Sequence, residues 1–285
     1  MPNSKRKEIL VSIITPTLNQ ARFLEKNILS IKNQDYHFIE HIIVDGDSTD
    51  NTLEIIKKYE RTYNLRWISE KDEGCADAMN KGFKMAKGDI FCWLDADDMY
   101  LPGRVRKVVE VFQKHPEIDV VFGDILIADQ NDKIIGYTKH TDFDFEMLVY
   151  IGMNLSTQAT FWRQTLFDKL KGFNKKYLRC ADYDFFLKAA ASGALFYHLR
   201  DFLGIYRHHS QQLSRSVELC RFEVNEISQR YINKNLSPQF LKWKKRKILV
   251  KRALQFIKQG DIWYVLQGII RRIGILHKTQ YFKKS

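Results

Sequence analysis

At 285 residues, 45% apolar and 28% charged, the chain has the make-up of a globular protein, and its length suits one large domain with an appendage better than two full domains. The net charge of +12 sits at one end: residues 234–285 carry fourteen Lys or Arg and one acid, Asp261, which leaves residues 1–233 at −1. A nucleic-acid-binding domain carries its positive charge on the folded body, so the near-neutral main part argues against nucleic acid as a partner.

In chain order, Ile9–Ile14 reads as a buried strand stopped by Thr15-Pro16, and Phe23, Leu24, Ile28 and Ile31 then recur at helical spacing. Ile39–Val44 is a second strand. The Gly46–Asp50 stretch after it supplies caps for a helix carrying Leu53, Ile56 and Lys57. Leu65–Ser69 predicts a third strand, Ala76–Ala86 a third helix and Ile90–Leu94 a fourth strand. This alternation, with continuously apolar strands, predicts an α/β fold whose central sheet is mainly parallel and covered on both faces. The stretch 118–162 is less regular, with strands expected at Val120–Ala128 and Ile134–Thr138 around a turn at Gln130–Lys133. Helix signals return at Asp182–Ala191 and continue after Ser214, giving an expected division into a domain at 1–215 and a basic helical extension at 216–285. The cysteines Cys75, Cys92, Cys180 and Cys220 form no C-x-x-C pair and read as reduced thiols of a cytoplasmic protein. The polar opening from Met1 to Glu8 predicts no secretory signal, and no segment approaches the roughly 18 uninterrupted apolar residues of a spanning helix.

The carboxylates carry the chemistry. Asp45 stands at the end of the second strand, and Asp95 and Asp97 at the end of the fourth, on the rim where open α/β sheets bind ligands. Residues two apart in an extended segment point to the same side, so Asp95 and Asp97 can address one ligand. Hard oxygen donors at this spacing suit Mg²⁺ or Mn²⁺ bridging a diphosphate. Taken alone, Asp-x-Asp-Asp after a strand equally describes a solvated turn capping the next helix.

An ordered set of motifs separates these readings: Ser12–Thr17, Ile42–Asp50, Ser69–Gly74, Asp77–Gly82, Trp93–Asp98, Gln158–Phe161, Gly172-Phe173, Ala181–Asp184 and Tyr206–His209. Spread over roughly 9–215, this set resembles family 2 glycosyltransferases of the GT-A nucleotide-sugar-binding fold, nearest to bacterial enzymes of exopolysaccharide and O-antigen synthesis. The resemblance implies an inverting, metal-dependent transferase. It would move a sugar from a nucleotide-diphosphate donor, a UDP-sugar by preference, to a hydroxyl of a glycan or lipid-linked acceptor. It places Thr15, Pro16 and Asp45 at the nucleobase, Asp72 and the Asp77–Asn80 segment at the ribose and donor sugar, and Asp95 at the ribose or diphosphate. Asp97 would ligate Mn²⁺ or Mg²⁺, with His209 as a further ligand and the neighbouring His208 as its alternative. Asp182 takes the position of the catalytic base, with Asp184 as the alternative, because Ala181 replaces the Glu that usually precedes this Asp in the family. Asn174 stands where an acid often follows Gly-Phe. Other readings are a non-catalytic nucleotide-sugar-binding protein and a nucleotidyltransferase-like enzyme. The second usually has an early Gly-rich phosphate loop, and Thr15–Gln20 contains no glycine.

The tail reads separately. Leu249, Ala253 and Phe256 form one apolar stripe and Ile262, Leu266, Ile269, Ile273 and Leu276 another, among clustered Lys and Arg with Trp243 and Trp263 nearby. Such helices suit either an anionic membrane surface, here the inner face of the plasma membrane, or packing on protein.

Overall fold

The computed structural model describes residues 8–210, 212, 217–233 and 235–273. The chain divides into two compact units, one ending at Ile232 and one starting at Asn233. The division falls later than residue 215 because the helix at Val217–Ser228 buries Ile227 in the core of the first unit.

The first unit begins with β1 (Val11–Thr17), β2 (Ile39–Asp45), β3 (Leu65–Ser69) and β4 (Ile90–Trp93), all parallel and in the order β3-β2-β1-β4. The helices α1 (Ala21–Lys32), α2 (Thr52–Tyr59) and α3 (Cys75–Met85) alternate with them. β2 is buried along its whole length and β1 along nearly all of it, as strands covered on both faces must be. The order reverses at β1, with β2 on one side and β4 on the other. The crevice outside the carboxyl ends of β1 and β4 is therefore the switch point where ligands bind in sheets of this kind. The Asp95–Asp98 loop leaves β4 at that crevice.

The second half extends the sheet with antiparallel pairings. β8 (Thr160–Arg163) lies between β4 and β6 (Val120–Asp129), antiparallel to both. β7 (Ile134–Thr138) folds back on β6, while β9 (Phe196–His208) runs parallel to β6 and antiparallel to β5 (Met99–Tyr100). Helices α4 (Arg104–Lys114), α5 (Phe145–Tyr150), α6 (Gln164–Leu170), α7 (Ala181–Ala191) and α8 (Val217–Ser228) complete the unit.

Alternation along β4 builds a core on each face of the sheet. Phe91 and Trp93 face a cluster with Phe83, Trp162, Phe167, Phe173 and Phe185, whose neighbouring rings are 4.7–6.2 Å apart. Ile90 and Cys92 face Val105, Val108 and Phe112 on the opposite side. Aromatic residues bury 150–250 Å² each, so the first cluster fastens α3, α6 and α7 to the sheet.

α3 approaches that sheet closely through Gly82, where an added Cβ would lie 2.4 Å from Ile14 Cγ2 and 3.1 Å from Val44 Cγ2. In an open helix Gly→Ala gains about 1 kcal/mol. Here both neighbours are fully buried strand residues, and overpacking of this kind costs about 1–3 kcal/mol. Gly82→Ala should therefore lower stability, by a Tm drop of a few degrees in a thermal melt. An unchanged or raised Tm would show that α3 can move away from β1.

The second unit contains α9 (Pro238–Lys258) and α10 (Ile262–Ile273). Ser237 Oγ accepts from Phe240 N (3.2 Å), and Pro238 occupies the first turn, a favourable start for a helix. Phe256 packs on Tyr264 at 4.8 Å, joining the two helices. Phe256 is buried and Leu249 and Ala253 are half-buried, so the stripe expected on α9 is its inner face. In α10, Ile262 and Leu266 are exposed. The side chains of Ile269 and Ile273, and all of Leu276, lie outside the described residues. Among the described residues no helix is long and apolar enough to cross a membrane.

Candidate functional site

The loop after β4 is held from three directions. Asp98 N bonds Asp95 O (2.9 Å), closing a turn. Asn27, fully buried on α1, donates its side-chain amide to the carbonyls of Asp95 (2.9 Å) and Asp98 (3.0 Å). Arg207, fully buried on β9, donates through Nη1 to the Asp97 carbonyl, and its backbone N–H donates to Asp98 Oδ1 (2.8 Å). The Arg207 guanidinium lies over the Phe23 ring and pairs with Asp132 (2.6 Å) from the β6–β7 turn. Neither Asn27 nor Arg207 stood out as a site residue in the sequence, where Asn27 reads as one more helix position and Arg207 as part of a motif.

This support turns Asp97 outward. Its Oδ2 lies 2.8 Å from His209 Nε2, and the His209 ring rests on Phe23 at 4.6 Å. Of the two candidate histidines, His209 is the one that meets Asp97; His208 ends β9, paired with Asp129. Asp98 turns inward, 1% exposed, and its Oδ2 has no hydrogen-bond partner among the described residues. Burial, then the charges of Asp97 and Asp182, push the Asp95 carboxyl up to about 7.

Asp182 joins this group from α7. Its Oδ1 accepts from the backbone N–H of Tyr183 (2.7 Å), and burial pushes its carboxyl up to about 6. That lies above the value near 3.9 of an ordinary aspartate, and still leaves the group largely ionised at neutral pH. The partly buried Cys75 thiol at the start of α3 is pushed well above its ordinary value, first by burial and then by Asp95, Asp182 and Asp72. Those three carboxylates thus lie within electrostatic reach of one thiol.

Asp184 faces the other way: it is buried against Arg230 (3.1 Å) and Lys188 (2.5 Å). Glu223 on α8 steadies the approach to Asp182, accepting from the backbone N–H groups of Leu178 (2.9 Å), Arg179 (3.0 Å) and Cys180 (2.9 Å). Beside Asp182 is a cavity of about 280 Å³ lined by the apolar Ile125, Ile127 and Leu155, by Tyr206, and by the polar Thr138, Ser156, Thr157 and Gln158.

Most of the other residues expected at the site are taken up by contacts of their own. The Asp45 carboxylate is fully buried and taken up by Ser48 N (3.0 Å), Ser48 Oγ (2.5 Å) and Ser69 Oγ (2.7 Å), so it organises the turn after β2 and is not open to a nucleobase. Thr15 Oγ1 pairs with His41 Nε2 (2.9 Å) inside the sheet, because its side chain points into the layer that Pro16 points away from. Pro16 keeps a partly open surface at the end of β1. Asp72 caps Gly74 N (2.8 Å) close to Gly46. Asp77 pairs with Lys175 (3.1 Å) and Lys81 (3.5 Å). Asn80 spends both ends of its amide on the Phe173 backbone (2.8 and 2.9 Å), tying α3 to the loop before α7 and lining a groove formed with α6.

The residues present suit a divalent cation. A carboxylate oxygen and an imidazole nitrogen meet at Asp97 and His209, near a second carboxylate, Asp95, whose ionisation is opposed first by burial and then by the charges of Asp97 and Asp182. Mg²⁺ and Mn²⁺ are commonly held by one or two protein groups with substrate phosphates completing the shell. Among the described residues no three His, Cys, Asp or Glu side chains form a complete cage.

Comparison with known proteins gives the family and the fold. The family model of Glycosyl transferase family 2 matches residues 12–181. A PGL/p-HBAD biosynthesis glycosyltransferase of Mycobacterium tuberculosis is 34% identical over 189 residues, covering 65% of this chain and 72% of that one. An uncharacterized glycosyltransferase of Methanocaldococcus jannaschii is 30% identical over 237 residues, 79% of this chain and 80% of the other. Among solved structures, S. aureus TarS 1-349 in complex with UDP-GlcNAc superposes with a TM-score of 0.66 at 21% identity, covering 85% of this chain and 72% of that chain. This chain spans 43% of the longer TarS chain. The Pyrobaculum calidifontis mannosyltransferase PcManGT, in complex with GDP-Man and Mn²⁺, gives 0.60 at 17% identity, covering 94% and 81%. The shared fold is the GT-A fold.

Proposed function

Since the chain belongs to glycosyl transferase family 2, we propose that it is an inverting, metal-dependent transferase that moves a sugar from a UDP-sugar to a hydroxyl of a glycan or lipid-linked acceptor in cell-envelope polysaccharide synthesis. The reaction would take place at the cytoplasmic face of the plasma membrane. The observation that carries this reading is the meeting of Asp97 and His209 on the loop at the switch point of the sheet, with Asp95 within electrostatic reach of Asp97 and Asp182.

Asp97 and His209 would hold Mn²⁺ or Mg²⁺, which offsets charge growing on the departing diphosphate. Asp95, Asp72 and Pro16 border the crevice in which the donor would lie. Asp182 would take the proton of the acceptor hydroxyl. A base whose pKa lies near 6 combines ionisation at neutral pH with stronger proton affinity than an exposed aspartate. The cavity beside it, lined by both aliphatic and hydroxyl side chains, suits a sugar ring or the start of a lipid-linked glycan. A single in-line displacement inverts the anomeric carbon. The pairing of Asp184 with Lys188 and Arg230 supports it, because α7 then offers one available carboxylate and not two.

Thermal melts with nucleoside diphosphates and their sugars test this directly. UDP at 100 times its dissociation constant should stabilise by about 2.7 kcal/mol, a Tm rise of several degrees, and the rise should depend on Mn²⁺ or Mg²⁺. No shift with any nucleoside diphosphate, with metal present, would overturn the donor assignment. Binding without transfer to any acceptor would favour the non-catalytic reading.

A further inference from the structure

α9 has a second apolar face, about 100° around the helix from the stripe that packs inward. Trp243, Val250, Leu254 and Ile257 recur at i, i+7, i+11 and i+14, which sets them in one row along the helix. They keep 53%, 59%, 54% and 45% of their surface exposed. Two apolar rows offset by one residue blur the periodicity, which is why the sequence pattern picked out the row containing Leu249 and Phe256. An exposed row of this size on a folded protein marks an interaction surface.

Charge on its flanks identifies the partner. α9 contains eight Lys or Arg and no acid. By the helical repeat, Arg246 borders the row on one side and Lys247 and Lys258 on the other, all three exposed. The Lys247 ammonium lies 5.3 Å from the Trp243 ring, so the cation stands directly beside the apolar row. A second copy of the chain would bring cations against cations along both borders. An apolar row containing tryptophan and edged by lysines matches an anionic lipid bilayer. The row can enter the boundary between headgroups and acyl chains while the long lysine side chains reach the phosphates.

We propose that this outer face of α9 docks the protein on an anionic bilayer, and that the inner face of the same helix takes no part. The proposal goes beyond sugar transfer and is read by sedimentation, so its failure leaves the transferase assignment untouched. The full chain is spun with vesicles of phosphatidylglycerol and phosphatidylcholine, and with phosphatidylcholine alone. Binding should require the anionic lipid and weaken as salt shortens the Debye length. Trp243→Gln with Leu254→Gln should weaken partition about tenfold or more, through loss of buried apolar area. Lys247→Gln and Lys258→Gln should each cost about fivefold. All four residues are exposed, so circular dichroism should show wild-type helix content. Undiminished pelleting of the Trp243/Leu254 variant would overturn the proposal, as would equal binding to phosphatidylcholine alone or no binding to either vesicle. So would self-association abolished by the same substitutions and unaffected by vesicles.

Discussion

Asp182→Asn should reduce sugar transfer by about a thousandfold, within the range that general-base catalysis contributes, while leaving donor binding nearly intact and raising thermal stability at pH 7. The two effects have one cause. Folding lifts the Asp182 carboxyl from its ordinary 3.8 to about 6, because burial opposes its charge. The folded state therefore favours the protonated form. Stability from this group is highest below pH 3.8, declines as pH rises from there to about 6, and carries the full penalty at pH 7. Each pH unit corresponds to about 1.4 kcal/mol, and the side chain borders an open cavity, so the penalty is on the order of 2 kcal/mol. A neutral amide removes it. The stability difference between variant and wild type should accordingly shrink to nothing as pH falls below about 4. In the wild type, kcat/KM should drop below pH 6 as the base protonates. Comparable turnover in the variant would refute the base assignment. A variant less stable than wild type at pH 7 would instead mean that the Asp182–Tyr183 hydrogen bond outweighs the burial penalty.

Asp97→Ala should abolish both transfer and metal binding. Its carboxylate is the group that the loop's supports from Asn27 and Arg207 turn towards His209. Losing a metal that stabilises the leaving diphosphate removes several kcal/mol from the barrier reduction, about a thousandfold or more in rate. The direct readout is Mn²⁺ affinity in the presence of UDP, by calorimetry or paramagnetic resonance. His209→Ala should weaken that affinity too, whereas His208→Ala should leave it close to wild type because His208 lies on the β9 ladder. Full activity of the unaltered protein in excess chelator would sink the metal assignment.

Much of the first half was legible because its signals are local. Leu65–Ser69 and Ile134–Thr138 appear as predicted, and the other expected strands differ at their ends by a few residues. Each is a short apolar run between turn residues, and a strand buried on both faces must read that way. β8 and β9 were missed for the converse reason. Four residues carry too little pattern, and β9 mixes charged and apolar positions over thirteen residues because it meets β6 through shifts in register near Gly123–Ile125. Their pairing partners are far away in the chain.

The site divides along the same line. Sequence order alone determined the alternating strands and helices, the acidic rim after β4, the family pattern over 12–181 and the segregation of positive charge into the tail. Tertiary structure decided which acids are available. Asp45 and Asp97 both follow strands on one rim, yet Ser48 and Ser69 close over the first while Asn27 and Arg207 present the second. Asp182 and Asp184 are two residues apart, and the arrival of Arg230 from beyond α8, added to Lys188 one turn along α7, commits Asp184 to ion pairs. The face of α9 left exposed was settled in the same way. A residue type specifies what a side chain can do, but its accessibility and charge depend on neighbours tens to more than a hundred residues distant, which no local pattern encodes.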